Sequence, residues 1–374
     1  MSQPPSLRAR PRSRFPLLRV VVTAVLLLGA ATGGTAAAGA PPEGAPLFWV
    51  DPDTAAARQA AEWRAAGRLD DARLIDRIAD RPQAVWFSDD GPGAVVRSRL
   101  AAAAMAGRTP VFVAYFIPGR DCGSYSSGGA RDAAHYRQWI DDFASGLGTS
   151  PAYVIVEPDA VAHMVAGCPG AEAAERHELL AHAVQRLKSR PDTKVYLDAG
   201  NAGWITDEQR LVTPLRSAGI AEADGFALNV SNFRTDEESA KYGHRLADAL
   251  GGGKHFVIDS SRNGNGPYEG TEGEAWCNPP GRALGTPPTA DTGDPAIDAY
   301  LWIKRPGESD GTCRGGPKAG QWWPEYALGL AERAREGGAV AEPGVVAGTA
   351  PVAGTDPAPV AGTGGTVGQA GRQT

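Results

Sequence analysis

Residues 153–198 read YVIVEPDAVAHMVAGCPGAEAAERHELLAHAVQRLKSRPDTKVYLD. The segment opens on a short apolar run, 153–156, rich in β-branched and aromatic side chains, and a second such run, 194–197, closes it. Between them, residues 171–190 place Leu180, Val184 and Leu187 on one helical face. Two buried strands joined by an amphipathic helix are a parallel βαβ unit. Outward from this unit the alternation continues, with strands expected at 84–87, 110–116, 225–228, 255–258 and 299–303 and helices at 94–106 and 132–147. Seven strands in this order predict an α/β fold, a parallel β/α barrel whose cleft lies at the C-terminal strand ends. No G-x-G-x-x-G follows the first strand, so a dinucleotide fold has no support. Gly251-Gly252-Gly253-Lys254 lacks the P-loop insert and precedes a strand, which excludes a phosphate loop.

The flanks set the compartment. Arg8, Arg10, Arg12, Arg14 and Arg19 precede an apolar run of about 12 residues, followed by Ala36-Ala37-Ala38, the pattern of a signal peptide over 1–38. That run is shorter than the ~20 residues of a membrane-spanning helix, so stable membrane insertion is not expected and the protein is read as secreted. The leader holds five arginines and no acids, so its removal takes the formal charge from −6 to −11, a poor match for nucleic acid. Cys122, Cys168, Cys277 and Cys313 have no C-x-x-C spacing and read as structural disulfides in an oxidising compartment. Four cysteines allow three connectivities, and the spacing chooses none. From 341 to 374 the chain is rich in Ala, Gly, Val, Pro and Thr and repeats Val-Ala-Gly-Thr three times, a linker or tail too poor in bulky side chains to fold. The domain is therefore expected over 46–340.

Polar residues cluster where the predicted strands end: Tyr115 with Arg120 and Asp121, Glu157 with Asp159, then Asp198, Asn229, Asp259, and Lys304 with Glu308 and Asp310. One aspartate after a strand can be a helix cap; the repetition around a barrel converges these groups on one face. Five of the six histidines fall away from the strand ends, and His177 and His182 stand five apart, off a shared helical face, so no metal site is expected. Carboxylates are left as the acid and base, the equipment of glycoside hydrolysis. Pyranose rings also stack on aromatic surfaces. Trp86, Trp204 and Trp276 sit near or beyond strand ends and suit that role, whereas Trp63 and Trp139 lie within helices and read as core.

These motifs together resemble glycoside hydrolase family 6. The resemblance runs in order through Tyr115-Phe-Ile-Pro-Gly-Arg-Asp-Cys122, Val156-Glu-Pro-Asp159, Tyr196-Leu-Asp-Ala-Gly200 with Trp204, Asn229-Val-Ser-Asn232, Ile258-Asp-Ser-Ser-Arg262, Trp276-Cys-Asn-Pro-Pro-Gly-Arg282 and Trp302-Ile-Lys-Arg-Pro-Gly-Glu308-Ser-Asp310. It implies a distorted barrel of seven parallel strands and an inverting hydrolase of β-1,4-glucan, with no cofactor; the chain is read as a monomer. Asp159 matches the general acid, Asp121 the residue that steers it and holds the water, and Tyr115 the ring crowding the distorted sugar. Ser127 matches the serine near the attacking water, and Asp310 the proposed base, for which a relay through Asp121 is the alternative. Lys304 and Glu308 match residues holding sugar hydroxyls, Trp86, Trp204 and Trp276 match subsite platforms, and Asp198 and Asn229 join the substrate-binding set. Cysteines would pair in sequence order, Cys122 with Cys168 and Cys277 with Cys313. Asn201 stands where the family usually has histidine; an amide still hydrogen-bonds a hydroxyl but cannot titrate. The compact span from Cys277 to Cys313 and the short stretch from Asp159 to Cys168 imply an open cleft and endo action, with a cellobiohydrolase as the alternative reading. A catalytically silent glycan binder is disfavoured because Asp121, Asp159 and Asp310 are all retained.

Overall fold

The computed structural model describes residues 47–168, 173–272 and 274–334. The leader and the tail expected at 1–38 and 341–374 lie outside the described residues. Seven strands, β1 Val85–Phe87, β2 Val111–Ala114, β3 Ala152–Val156, β4 Thr193–Asp198, β5 Gly225–Leu228, β6 His255–Asp259 and β7 Ile297–Leu301, form one sheet in sequence order. Every ladder is parallel. Period-two alternation divides the strand side chains into two sets. Val111, Val113, Tyr153, Ile155, Tyr196, Ala227, Val257, Ala299 and Leu301 fill the barrel interior. Phe112, Val154, Leu197, Phe226 and Ile258 face outward and pack against the surrounding helices.

Those helices are α3 Pro92–Met105, α4 Ala133–Leu147, α5 Ala160–Ala166, α6 Ala173–Lys188, α7 Gln209–Ser217 and α8 Asp236–Ala249. Leu180, Val184 and Leu187 of α6 are fully buried, as their spacing requires. Local signals start the helices: Asp132 accepts from the His135 N–H at 2.8 Å, and Thr235 and Glu238 form a reciprocal capping box. Trp63 and Trp139 are core residues.

The distortion lies between β7 and β1. No ladder joins them; the Ala84 N–H donates to the Trp302 carbonyl at 3.0 Å and the Trp86 indole to the Ile303 carbonyl at 2.8 Å. This corrects the expected seventh strand, which runs two residues earlier than 299–303. The ladder with β6 ends at the Asp259–Leu301 pair, and the next two carbonyls serve the seam instead. Over this seam lies a satellite core from α1 Ala55–Ala65, the helix that holds Trp63, with α2 Leu69–Ala79 and α9 Pro324–Arg333, which have no counterpart among the sequence expectations; together they bury Trp302 with Ile75, Ile78 and Leu330.

Candidate active site

A cleft of about 710 Å³ opens at the C-terminal strand ends. Among the described residues, eight non-glycine residues adopt positive φ: Asp121, Cys122, Glu157, Asp159, Asn229, Ser231, Asn278 and Arg314. All lie on the loops of this face. Each such conformation costs on the order of 1–3 kcal/mol and persists where the surroundings over-determine it, as they do at functional sites.

The loop after β2 is folded back on itself by Arg120. Its guanidinium donates to the carbonyls of Tyr115 (2.6 Å), Ser126 (2.9 Å) and Ser88 (3.2 Å) and lies 4.8 Å above the Tyr115 ring. Tyr115 meets Trp86 edge to face at 5.3 Å. Gly129 closes the loop where only glycine fits, since a Cβ there would stand 2.0 Å from the Ile117 carbonyl oxygen. Asp121 accepts the Ser126 N–H at 2.5 Å. Burial raises its pKa, against the opposing pull of that N–H and of Arg120. Ser127 lines the cleft beside it.

At the end of β3 the chain turns through Glu157 (φ 49°) and Asp159 (φ 72°) into α5. The left-handed turn gives Asp159 no capping bond of its own and leaves its carboxyl facing the cleft. Burial, then the negative charges of Asp198 and Asp121, hold that carboxyl well above the ordinary aspartate range. Glu157 turns inward and accepts the N–H groups of Phe116 and Ile117 at 3.0 Å. It is fully buried, which pushes it up to about 7.

Asp310 has the opposite environment. Arg262 donates to its Oδ2 at 2.8 Å, the Asn278 N–H at 3.0 Å, and the Lys304 ammonium stands 3.5 Å from Oδ1. Burial alone would raise its pKa; the two cations and the N–H overcome that and hold it below the ordinary range. Lys304 also donates to the Ser309 carbonyl at 3.2 Å, and Glu308 pairs with Arg305 at 2.8 Å. Both line the cleft, as do Trp86, Asn201, Trp204 and Trp276. The Asn201 amide oxygen accepts the Gly203 N–H at 3.0 Å.

Two expected binding residues are placed elsewhere. Asp198 is buried beneath the cleft wall, its Oδ1 accepting the N–H groups of Asp159 (2.9 Å) and Gly200 (3.0 Å). It positions the acid residue and touches no cleft surface; burial, with the charge of Asp259, pushes it up to about 7. Asn229 is wholly buried, donating to the carbonyls of Arg234 (3.0 Å) and Asp259 (2.8 Å) and accepting the Arg234 N–H at 3.0 Å. Its amide is saturated within the protein. Arg262, quoted in the Ile258-Asp-Ser-Ser-Arg262 motif but given no role there, is a fully buried cation three residues after the end of β6. Both disulfides follow the implied pairing, Cys122–Cys168 and Cys277–Cys313, with Cα atoms 5.9 and 6.3 Å apart.

A parallel barrel whose cleft is lined by one carboxyl with a raised pKa and another with a lowered one has the equipment of an acid–base hydrolase of the glycosidase type. The family model "Glycosyl hydrolases family 6" matches residues 44–334, and the chain belongs to that family. It is 45% identical over 292 residues to Endoglucanase A of Cellulomonas fimi, covering 77% of this chain and 61% of that protein, so the chain spans less than two thirds of that relative's length. Endoglucanase A of Thermobispora bispora is 44% identical over 322 residues, covering 82% and 68%. The solved endoglucanase Cel6 of Mycobacterium tuberculosis, in complex with methyl-cellobiosyl-4-deoxy-4-thio-β-D-cellobioside, aligns with a TM-score of 0.72 at 45% identity over 78% of this chain and 98% of that one.

Proposed function

We propose that this chain cleaves β-1,4-glucan at internal bonds with inversion, as a secreted enzyme. The observation that carries the reading is the split between Asp159, whose pKa is raised by burial and neighbouring carboxylates, and Asp310, whose pKa is lowered by Arg262 and Lys304. Asp159 gives its proton to the glycosidic oxygen as the C1–O bond breaks, and water adds to C1 from the opposite face. The fixed charge of Asp310 stabilises the positive charge developing on the sugar. Its two ion pairs make it a weak proton acceptor, so the proton released by water passes toward Asp121, whose raised pKa and place beside Ser127 suit a water relay. Trp86, Trp204 and Trp276 offer apolar faces to successive glucosyl rings. The endo reading is supported by the endoglucanase names of relatives at 42–45% identity, against 30% for those named cellobiohydrolase. Secretion is supported by the two disulfides, which persist in an oxidising compartment.

Proton NMR of a soluble cello-oligosaccharide during the first turnovers tests the reading. The expected first product is the α-anomer. An initial β-anomer would mean retention and would overturn the acid–base assignment.

A further inference from the structure

The chain approaches Asp121 through Phe116-Ile117-Pro118-Gly119, and side chains of other elements hold this backbone. Glu157 takes the N–H groups of Phe116 and Ile117. Pro118 has no N–H to give, and Gly119 stands at φ 61°. These two are held by their carbonyls. Arg176, near the start of α6, donates from Nη2 to the Pro118 oxygen at 3.0 Å and to the Gly119 oxygen at 3.2 Å. One residue past Asp121, Cys122 is tied to Cys168. Asp121 is therefore gripped on both sides, by a guanidinium before it and a disulfide after it.

The guanidinium is a costly way to hold a loop. Arg176 is buried, its Nη1 has no hydrogen-bond partner among the described residues, and burial lowers its pKa against the opposing charge of Glu157. A buried cation with an idle nitrogen is a poor stabiliser of the fold. We propose that Arg176 is a positioning residue for the hydrolytic step, setting the place of Asp121 through the carbonyls of Pro118 and Gly119. It is not among the residues lining the cleft, so it acts only through that backbone. This rests on the glycosidase reading above, in which Asp121 receives the proton of the attacking water. A misplacement of about 1 Å at such a group costs on the order of 10²-fold in rate. Trp86, Trp204 and Trp276 belong to other segments, so substrate binding is left in place.

The test is steady-state kinetics on a cello-oligosaccharide and on an aryl cellobioside, with calorimetric titration of a thio-linked cello-oligosaccharide to count intact sites. Arg176→Met, which keeps the bulk and removes the donors, is expected to lower kcat about 10- to 10²-fold on both substrates, with KM and binding stoichiometry unchanged. The loss is shared because water must attack in both cases, whereas loss of the acid spares the aryl substrate. Arg176→Lys keeps the cation near Glu157 and gives up the rigid fork, so its kcat should fall by less, about three- to tenfold. If Arg176→Met does not fold, Arg176→Lys decides. An unchanged kcat in a folded variant overturns the proposal. So does a loss that appears as fewer binding sites, the mark of a purely structural role, or one confined to the unactivated substrate, which would route the effect through Asp159. A parent that cleaves neither substrate overturns the glycosidase reading itself, which is a separate outcome.

Discussion

The Asp159 carboxyl is tuned by a neighbour it does not touch through its own oxygens. Asp198 accepts the Asp159 backbone N–H, so the residue that fixes the left-handed turn also supplies the negative charge that keeps the acid protonated. Asp159→Asn is expected to lower kcat on unactivated glucan by roughly 10²–10⁴, the contribution of a positioned general acid. The loss should be much smaller on an aryl cellobioside whose leaving group needs no proton, and steady-state kinetics on the two substrates checks both. In Asp198→Asn the amide oxygen can still accept the two N–H groups while one negative charge is lost. The Asp159 pKa then falls, and the alkaline limb of the kcat/KM profile moves to lower pH; an unmoved limb would remove Asp198 from the tuning. No local signal separates Asp198 from Asp159. Both end or follow a strand with the same residue type, and only the turn geometry decides which carboxyl reaches solvent. Asn229 was misplaced for the same reason, and Arg262 passed over because a buried cation has no periodicity.

The loop after β2 depends on an anchor in another element. Glu157, one residue past β3, takes the N–H groups of Phe116 and Ile117, between Tyr115 and the segment that carries Asp121. Its pKa rises from an ordinary 4.5 to about 7. The folded state therefore binds more protons than the unfolded state between these values, and stability falls as pH rises through that window. A shift of this size corresponds to about 3 kcal/mol for a fully buried group. Glu157→Gln keeps an acceptor for both N–H groups and removes the titration. The variant is expected to lose less unfolding free energy than the parent between pH 5 and 8, measured by denaturant titration at each pH. At this scale the strands were legible because alternation and β-branching are local. The helices α2 and α9 were not, since they lie outside the βα repeat and owe their place to Trp302 and the open seam. The end of β7 was misjudged because the seam competes for its carbonyls.

For the whole molecule, the buried carboxyls and the disulfides act on stability in different ways. Burial is the largest cause raising Asp121, Asp159, Asp198, Asp259 and Glu308 as well as Glu157, and each contributes stability that fades as pH rises from the ordinary carboxylate range. Asp310 runs the other way, its contribution being present above the ordinary range and lost as pH falls through its depressed folded value. Asp294 and Glu237 are lowered as well, and burial lowers His163 to about 4 and His177 and His182 in the same direction, so these groups oppose the raised carboxyls in the acid range and the carboxyls dominate above the ordinary histidine value of about 6.5. Thermal unfolding from about pH 6.5 to 8 should show the midpoint falling toward the alkaline end.

The second disulfide ties global stability to one carboxylate. Cys277 and Cys313 are 36 residues apart, and opening that loop costs about 4 kcal/mol by loop entropy. Asn278, next to Cys277, gives its N–H to Asp310 (3.0 Å), receives the Asp310 N–H on its side-chain oxygen (2.8 Å), and donates its amide to the carbonyls of Gly311 (2.8 Å) and Cys313 (3.2 Å). The bridge therefore holds the clamp that fixes Asp310. In the double variant Cys277→Ser, Cys313→Ser, stability should drop by roughly 2–4 kcal/mol, and kcat should fall at temperatures where the variant is still folded by circular dichroism. Loss of stability with kcat intact would show that Arg262 and Lys304 alone position Asp310.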